Sequence, residues 1–526
     1  MEGSVSSTPS LHVFDWAIMA LYFALVLGVG VLFSRKEKDT DEYLLGGRRM
    51  PWFIIGISYM VSLMSTISLV SIPGEAFKYG ITKSIHTITA PIAAIGTFYL
   101  FVRFYFRAKV FTPFSYLEER FDRRVRLVGS LIFWWTRVAY LAMVLYSSSK
   151  VFEGAADWPV WATVCLVGFV GIVYTTMGGM KAVVWTDVSQ FVILVVGMAV
   201  VTAKCAGAVK GGFAGVIEYS FAHGRGFDGI REPGFFSLNP YVRLSFWLLL
   251  ISIVAEMMFY NSSDQISIQR LLSTSSYQQA KKSVYTFAAI GLPFAAMLWF
   301  LGLTIFSYYG QHPAEAADIT GDTALFRYVS IHLPTPIPGL MISAMLAAVM
   351  STLDSGLNSL ATVATKDVYI EYFRPNATEL EQVRFSRIMT VVVGVFAIVV
   401  ALIIASVATS IEETIMEAST IWIAFGGVLA PIFLLGVTTR RVNGNHILFA
   451  CIVAWAITAG TVTWYLISKA GDRPLSFLFV GVPGPVMLLV IGYVCTLLPG
   501  KRDPQKSAGL TLWTLRKDAT PPTPDA

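Results

Sequence analysis

Charge is what this sequence has little of. Only 14% of its 526 residues are Asp, Glu, Lys or Arg, against about 25% in an ordinary soluble domain. A water-soluble protein of this length is excluded on that ground alone. Cysteine is scarce as well. The four cysteines, Cys165, Cys205, Cys451 and Cys495, each lie in or beside an apolar stretch. Neither a zinc spacing nor an external disulfide framework is present, and the four read as small apolar filler. Residues 1–15 contain no Lys or Arg, so the basic start of a cleavable signal peptide is missing. The first apolar run is therefore expected to be a retained helix. Catalytic motifs are missing too: no metal set and no nucleophile–base constellation is visible, and an enzyme is not expected.

What is abundant is apolar sequence. Hydrophobic residues make up 55% of the chain, and the mean hydropathy is +0.64. A membrane-crossing helix needs roughly 20 apolar residues. Thirteen segments qualify, at about 14–34, 52–76, 86–106, 128–149, 158–177, 184–206, 244–263, 284–309, 337–364, 386–405, 416–437, 446–467 and 475–498. They must be helices, because in lipid only helices and closed barrels pair every backbone group, and a barrel would show short alternating segments. Lipid is thus one expected partner.

The basic residues orient the chain. With residues 1–13 placed outside, the inward loops carry more than twice as many Lys and Arg as the outward ones. Arg35, Lys36, Lys38, Arg48 and Arg49 fill the first of them, and Arg107, Lys109, Arg120, Arg123, Arg124 and Arg126 the second. The positive-inside rule favours that orientation, in an inner or plasma membrane with residues 499–526 as a cytoplasmic, disordered tail. The net charge of +6 is then a matter of topology, and nucleic acid is not an expected partner. The longest outward loop, 207–243, is glycine-rich and has room for a short lid helix.

Polar residues inside the spans carry the functional signal. The second span, WFIIGISYMVSLMSTISLVSIPGEAFKYG, holds Ser62, Ser65, Thr66 and Ser68 and then Pro73-Gly74, which predicts an interrupted helix. Five spans later EMMFYNSSDQ places Asn261, Ser262, Ser263 and Asp264 together. Paired interruptions at matching positions point to an inverted-repeat transporter, whose unwound backbone offers carbonyl oxygens to a hard cation. The ninth span puts Ala348, Ser351, Thr352 and Ser355 at i, i+3, i+4 and i+7, one helical stripe. Asp354 lies at its edge. A hydroxyl stripe facing a broken helix suits sodium, and a small-residue packing face reads equally from the same letters. Arg137 in the fourth span, Asp187 at the start of the sixth, Asp354 and Glu256 all need partners at that depth. Arg137 is read as one half of an ion pair or as a contact for an anion.

Five stretches carry a family resemblance: EYLLGGRRMPWFIIGISYMVS (42–62), FSYLEERFDRRVR (114–126), YTTMGGMKAVVWTDVSQ (174–190), SSDQISIQRLLSTSSYQQAKKS (262–283) and STLDSGLNSLATVATKDVY (351–369). Through them the chain resembles the sodium:solute symporters, over roughly residues 14–500. The wording is most similar to the iodide, multivitamin and monocarboxylate branch. The resemblance implies an all-α fold with a LeuT-type core of two inverted five-helix repeats, 52–206 and 244–437. One helix, 14–34, precedes the core and two, 446–498, follow it, for about 13 transmembrane helices in all. It implies sodium as the coupled ion, held by the carbonyls of Val61, Met64 and Ala348 and the hydroxyls of Ser351 and Thr352. A second sodium would use Asp187, Ser351, Ser355 and Asp354, where the family more often has a hydroxyl or small residue in place of Asp354. The implied substrate contacts are Leu63, Ser65, Ser68, His86, Thr87, Tyr260, Asn261 and Ser419.

The expected activity is sodium-driven symport of a small organic solute, leaning toward a monocarboxylate or another organic anion. A sugar or amino-acid symporter is the alternative. A transporter-like sensor or an ion channel stands behind both.

Overall fold

A computed structural model of the chain describes residues 11–34, 39–108, 110–156, 158–316, 321–408, 424–469, 471, 475–497 and 504–514. Among these residues there are helices and no strands. Eight helices are long and apolar enough to cross a membrane, and two bent helix pairs and two shorter apolar helices add to them. One of the eight, α6 (Val160–Ala208), runs for 49 residues. At 1.5 Å per residue that is about 73 Å, more than twice a bilayer core. Gly179 divides it, with φ 50° and ψ −156°, a conformation that costs glycine little. With α6 counted as two crossings, twelve of the thirteen segments expected from the sequence lie on described helices, and of the thirteenth, 416–437, the described part begins at Ala424.

The first crossing is α1 (Val13–Ser34). The second is broken into α2 (Trp52–Leu63) and α3 (Thr66–Tyr79), inclined at 61°. Then come α4 (Ser84–Ala108) and α5 (Arg123–Ala156), with α6 after them. The other broken crossing is α7 (Phe246–Ser262) with α8 (Gln265–Leu272), inclined at 52°. It is followed by α9 (Tyr277–Gln311), α10 (Ile337–Val363) and α11 (Glu379–Ala408). The last crossings are α12 (Leu429–Thr438), α13 (Gly444–Lys469) and α14 (Pro483–Leu497).

The helix α10 lies at the centre. Every residue from 341 to 363 is buried, and α6, α5, α1, α11 and α2 pack around it. Its small residues permit this. A Cβ on Gly356 would lie 2.5 Å from a Leu141 methyl, and one on Gly197 of α6 would lie 2.9 Å from the Ala344 Cβ. Close backbone approach through small residues is how helices associate where lipid supplies no hydrophobic contrast. At the N-terminal end of α10, Asp15 of α1 accepts the Gly339 N–H at 2.8 Å and the His12 N–H at 3.0 Å.

Three features differ from the sequence expectation. First, Pro73 lies inside α3, and the interruption falls nine residues earlier, at Met64–Ser65. Proline at this point leaves a close seam instead. A Cβ on Gly302 of α9 would sit 2.4 Å from the Pro73 carbonyl oxygen and 2.8 Å from its Cα. Backbone cannot yield as a side chain can. Gly302→Val is expected to cost about 1–3 kcal/mol, the usual range for overpacking, read as a lower thermal midpoint in detergent. Second, the tail is not wholly disordered. Residues 504–514 lie along the molecule, with the Leu512 N–H on the Val437 carbonyl (2.8 Å) and the Tyr116 hydroxyl on the Leu510 carbonyl (2.8 Å). These are backbone groups whose pairing hydropathy does not report. Third, Arg270, which counts as a loop cation by sequence, is buried. The 207–243 loop does carry a short helix, Gly212–Ala222.

Candidate functional site

The break in the second crossing contains no proline or glycine. Met64 (φ −94°, ψ 95°) and Ser65 (φ −89°, ψ 169°) are extended, and Ser65 occupies the position before a helix where serine is favoured. A helix end leaves its last carbonyls without intrahelical donors. The Val61 carbonyl takes the Met64 N–H at 3.0 Å, which leaves lone-pair capacity on Val61 and its neighbours. The helix α10 packs against both α2 and α3. On it, the Ser351 and Thr352 hydroxyls each donate to the Ala348 carbonyl at 3.0 Å. A hydroxyl that spends its proton this way keeps its oxygen lone pairs for a cation. The sequence-predicted sodium residues therefore lie on elements that touch, and all of them except half-buried Met64 are buried.

The second break is built by Asp264. Its carboxylate accepts the Ile266 N–H (3.3 Å) and the Ser267 hydroxyl (2.8 Å), capping α8. The same carboxylate receives Arg137 of α5 at 2.8 Å. Arg137 thus has its ion-pair partner, and the partner comes from the second break. Its guanidinium lies 5.3 Å from the ring centroids of Tyr140 and Phe259. Its Nε is buried with no hydrogen-bond partner.

Around this arginine the half-buried side chains form a polar wall. Tyr140 lies beside Ser65, and Tyr260 beside Glu256. Glu256 in turn faces His86, with Oε2 and Nε2 3.3 Å apart. Leu63 and Ser68 are half-buried at the break. Thr87 accepts the Trp299 indole N–H at 3.2 Å. Asn261 is placed differently from the expectation. Its amide donates to the Ala94 carbonyl (3.1 Å) and the Thr97 hydroxyl (2.9 Å), and its oxygen accepts from Tyr59 (3.2 Å). Fully buried and fully paired, it ties α7 to α4 and α2. Ser419 lies outside the described residues.

A deeper network surrounds Asp187. Arg270 Nη2 reaches Asp187 Oδ2 at 2.8 Å, its Nε reaches Ser58 at 2.8 Å, and its Nη1 reaches the Ile266 carbonyl at 3.1 Å. Ser58 also donates to Asp187, and Arg270 to Ser355. Ser355 lies 3.1 Å from Asp354, whose other oxygen accepts the Tyr174 hydroxyl at 2.6 Å. Asp187, Asp354, Ser355 and Arg270 are thus one hydrogen-bonded cluster. Asp187 Oδ1 is buried without a partner. Sequence reading missed Arg270. Every residue of α8 is buried, so the whole segment QISIQRLL folds back into the protein after the polar break and carries Arg270 with it.

A sequence profile of the sodium:solute symporter family matches residues 43–454. The sodium/sialic acid symporter NanT of Aliivibrio fischeri is 29% identical over 496 residues, covering 92% of this chain and 93% of that one. Sodium-coupled monocarboxylate transporter 1 of Homo sapiens is 27% identical over 454 residues, covering 85% of this chain and 72% of that protein. Among solved structures, a sodium-coupled sialic acid symporter in a substrate-bound outward-open state superposes with a TM-score of 0.82. It is 25% identical and covers 93% of this chain and 99% of that one. The all-α, LeuT-type architecture expected from the sequence is the one this likeness supports.

Proposed function

The chain belongs to the sodium:solute symporter family, and we propose that it uses a sodium gradient to carry a small organic anion across a plasma or inner membrane. It is a multi-pass membrane transporter and not an enzyme. The observation that carries the anion reading is Arg137: a guanidinium beside both breaks, with one edge held by Asp264 and a buried Nε still unpartnered. A carboxylate is the group that a guanidinium edge recognises best. The solutes named for the relatives, sialic acid and monocarboxylates, are organic acids and support the same reading.

In this reading sodium enters from outside and joins the carbonyls of Val61, Met64 and Ala348 to the hydroxyls of Ser351 and Thr352. That bridges α2 to α10 and fixes the first break. The solute then lies among Leu63, Ser65, Ser68, His86, Thr87 and Tyr260, with its carboxylate on Arg137. Closure of the outer side and opening of the inner side release both. At 100 mV, each charge carried inward contributes about 2.3 kcal/mol. Asp187 Oδ1, with Ser355 and Asp354, is the oxygen set proposed for a second sodium. The proposed orientation has the first residues outside and the last inside.

Arg137→Lys tests the anion anchor. Lysine keeps the charge but loses the planar fork. Sodium-dependent uptake of organic acids into proteoliposomes is expected to need about tenfold more solute at half saturation, with the sodium requirement unchanged. Unaltered solute affinity would remove Arg137 from the site.

A further inference from the structure

Arg48, Arg123, Arg124, Arg126 and Lys181 each face a carboxylate of this chain. Arg103 of α4 and Lys281 of α9 do not: among the described residues neither has an acidic partner. Both lie on the outer surface of the helix bundle. At about 100° per residue, exposed Ile88, Ile92, Gly96, Tyr99 and Arg103 fall within about 80° of one another on α4. On α9, exposed Leu292, Ala289 and Tyr285 fall within about 80° together with half-buried Lys281. Each stripe therefore runs from apolar through tyrosine to a cation, and the cation comes last, near the helix end. Arg103 and Lys281 are about 6–8 Å from the ends of α4 and α9 at Ala108 and Tyr277, the headgroup depth at which tyrosines also collect.

The two stripes converge. Tyr277 of α9 stacks on Phe98 of α4 at 5.2 Å and meets Phe106 edge-on at 6.1 Å, which fixes the seam between the helices. Across it the Tyr99 and Tyr285 hydroxyls are 3.2 Å apart. The Lys281 ammonium lies 5.5 and 5.9 Å from the centroids of these two rings, and Arg103 lies beside Tyr277.

This cluster has donors to spare. Whichever tyrosine donates to the other, the second hydroxyl proton is left over, and ammonium and guanidinium groups only donate. The matching occupant is an anion with several acceptor oxygens. Above the tyrosines the seam is open: a Cβ on Gly96 would meet nothing within 4 Å, and Ala289 presents only a methyl. An apolar chain attached to the anion fits there. Basic pockets between membrane helices hold acidic headgroups in this way, whereas a zwitterionic headgroup would bring its own ammonium against two cations.

We infer that the seam between α4 and α9 binds one anionic phospholipid, with its phosphate on Arg103, Lys281 and the tyrosine hydroxyls and an acyl chain along Gly96 and Ala289.

The test is native mass spectrometry of the full-length protein in detergent, titrated with phosphatidylglycerol or with phosphatidylcholine of the same chains. Wild type is expected to retain one phosphatidylglycerol at least about tenfold more tightly than phosphatidylcholine. A cation at a membrane surface is worth roughly fivefold, so Arg103→Gln with Lys281→Gln should weaken phosphatidylglycerol about 25-fold and leave phosphatidylcholine unchanged. Lys281→Arg should keep the preference. Lys282→Gln removes the same charge about 100° further around α9 and should also keep it. An unchanged thermal midpoint in lipid-free detergent reports that the double variant is folded. If it does not fold, Tyr99→Phe with Tyr285→Phe carries the test, because it removes only the hydroxyls, and it should weaken phosphatidylglycerol about fivefold. The inference is overturned if wild type retains both lipids equally, if the folded variant keeps the preference, if Lys282→Gln costs as much as the double change, or if inorganic phosphate displaces the lipid at equal concentration.

Discussion

Arg270→Met is expected to abolish recovery of folded protein, although Arg270 is not itself among the residues proposed to hold sodium or solute. Its side chain is 1% exposed, and Asp187 beside it is fully buried. Removing one member of a buried pair leaves the other charged and unsolvated, at a cost of about 3–5 kcal/mol. A whole domain is stable by only about 5–15 kcal/mol. Here the loss also strands Ser58, Ser355 and the Ile266 carbonyl, all of which Arg270 serves. The measurement is the monodisperse fraction of a fluorescent fusion after size exclusion, with its thermal midpoint. Arg270→Met combined with Asp187→Leu supplies the contrast, because replacing both charges by apolar groups of similar size is often neutral. The double variant should recover much of the folded fraction while losing the second sodium site proposed at Asp187. A single variant as stable as wild type would show that the pair is solvated.

The second large effect concerns sodium. Ser351→Ala with Thr352→Ala removes two of the five oxygens proposed for the ion and leaves the size of α10 almost unchanged. If each hydroxyl is worth about 1.4 kcal/mol, the pair is worth about a hundredfold in sodium affinity. Uptake driven by a sodium gradient should then fall to the level seen in choline. Binding also stabilises the folded state by RT ln(1 + [L]/Kd), so the rise in thermal midpoint that sodium gives wild type should vanish in the variant. The two readouts separate a lost ion site from a lost fold. A variant that still melts higher in sodium and still concentrates solute would move the ion elsewhere.

The spans themselves were legible because lipid imposes a length and an apolar composition that few other causes produce. The existence of both breaks was legible from clustered polar residues. The first lies among the hydroxyls, at Met64–Ser65, while the conspicuous Pro73 is accommodated inside α3. The partners of the buried acids were not legible. Pairing Arg137 with Asp264 and Arg270 with Asp187 depends on which helix faces which, and a single sequence does not record that. Arg270 was hidden for a further reason. Composition assigns an arginine just past a span to water, whereas the turn at Asp264 folds that segment back into the protein.

The contact between Asp15 and Gly339 has a consequence for α1. The start of α10 carries about half a positive charge, and Ser351 lies 14 residues further on, about 21 Å away. At an effective dielectric of about 20, that half charge would oppose a cation at Ser351 by only about 0.4 kcal/mol. Neutralising it is therefore a small matter. The larger effect is mechanical. A Cβ on Gly339 would lie 2.5 Å from the Asp15 Cα, so the two backbones are keyed together with no slack. Residues 11–34 act as a fixed post to which the N-terminal end of α10 is bolted, and any rocking of the carrier must pivot around that bolt or carry α1 along with it.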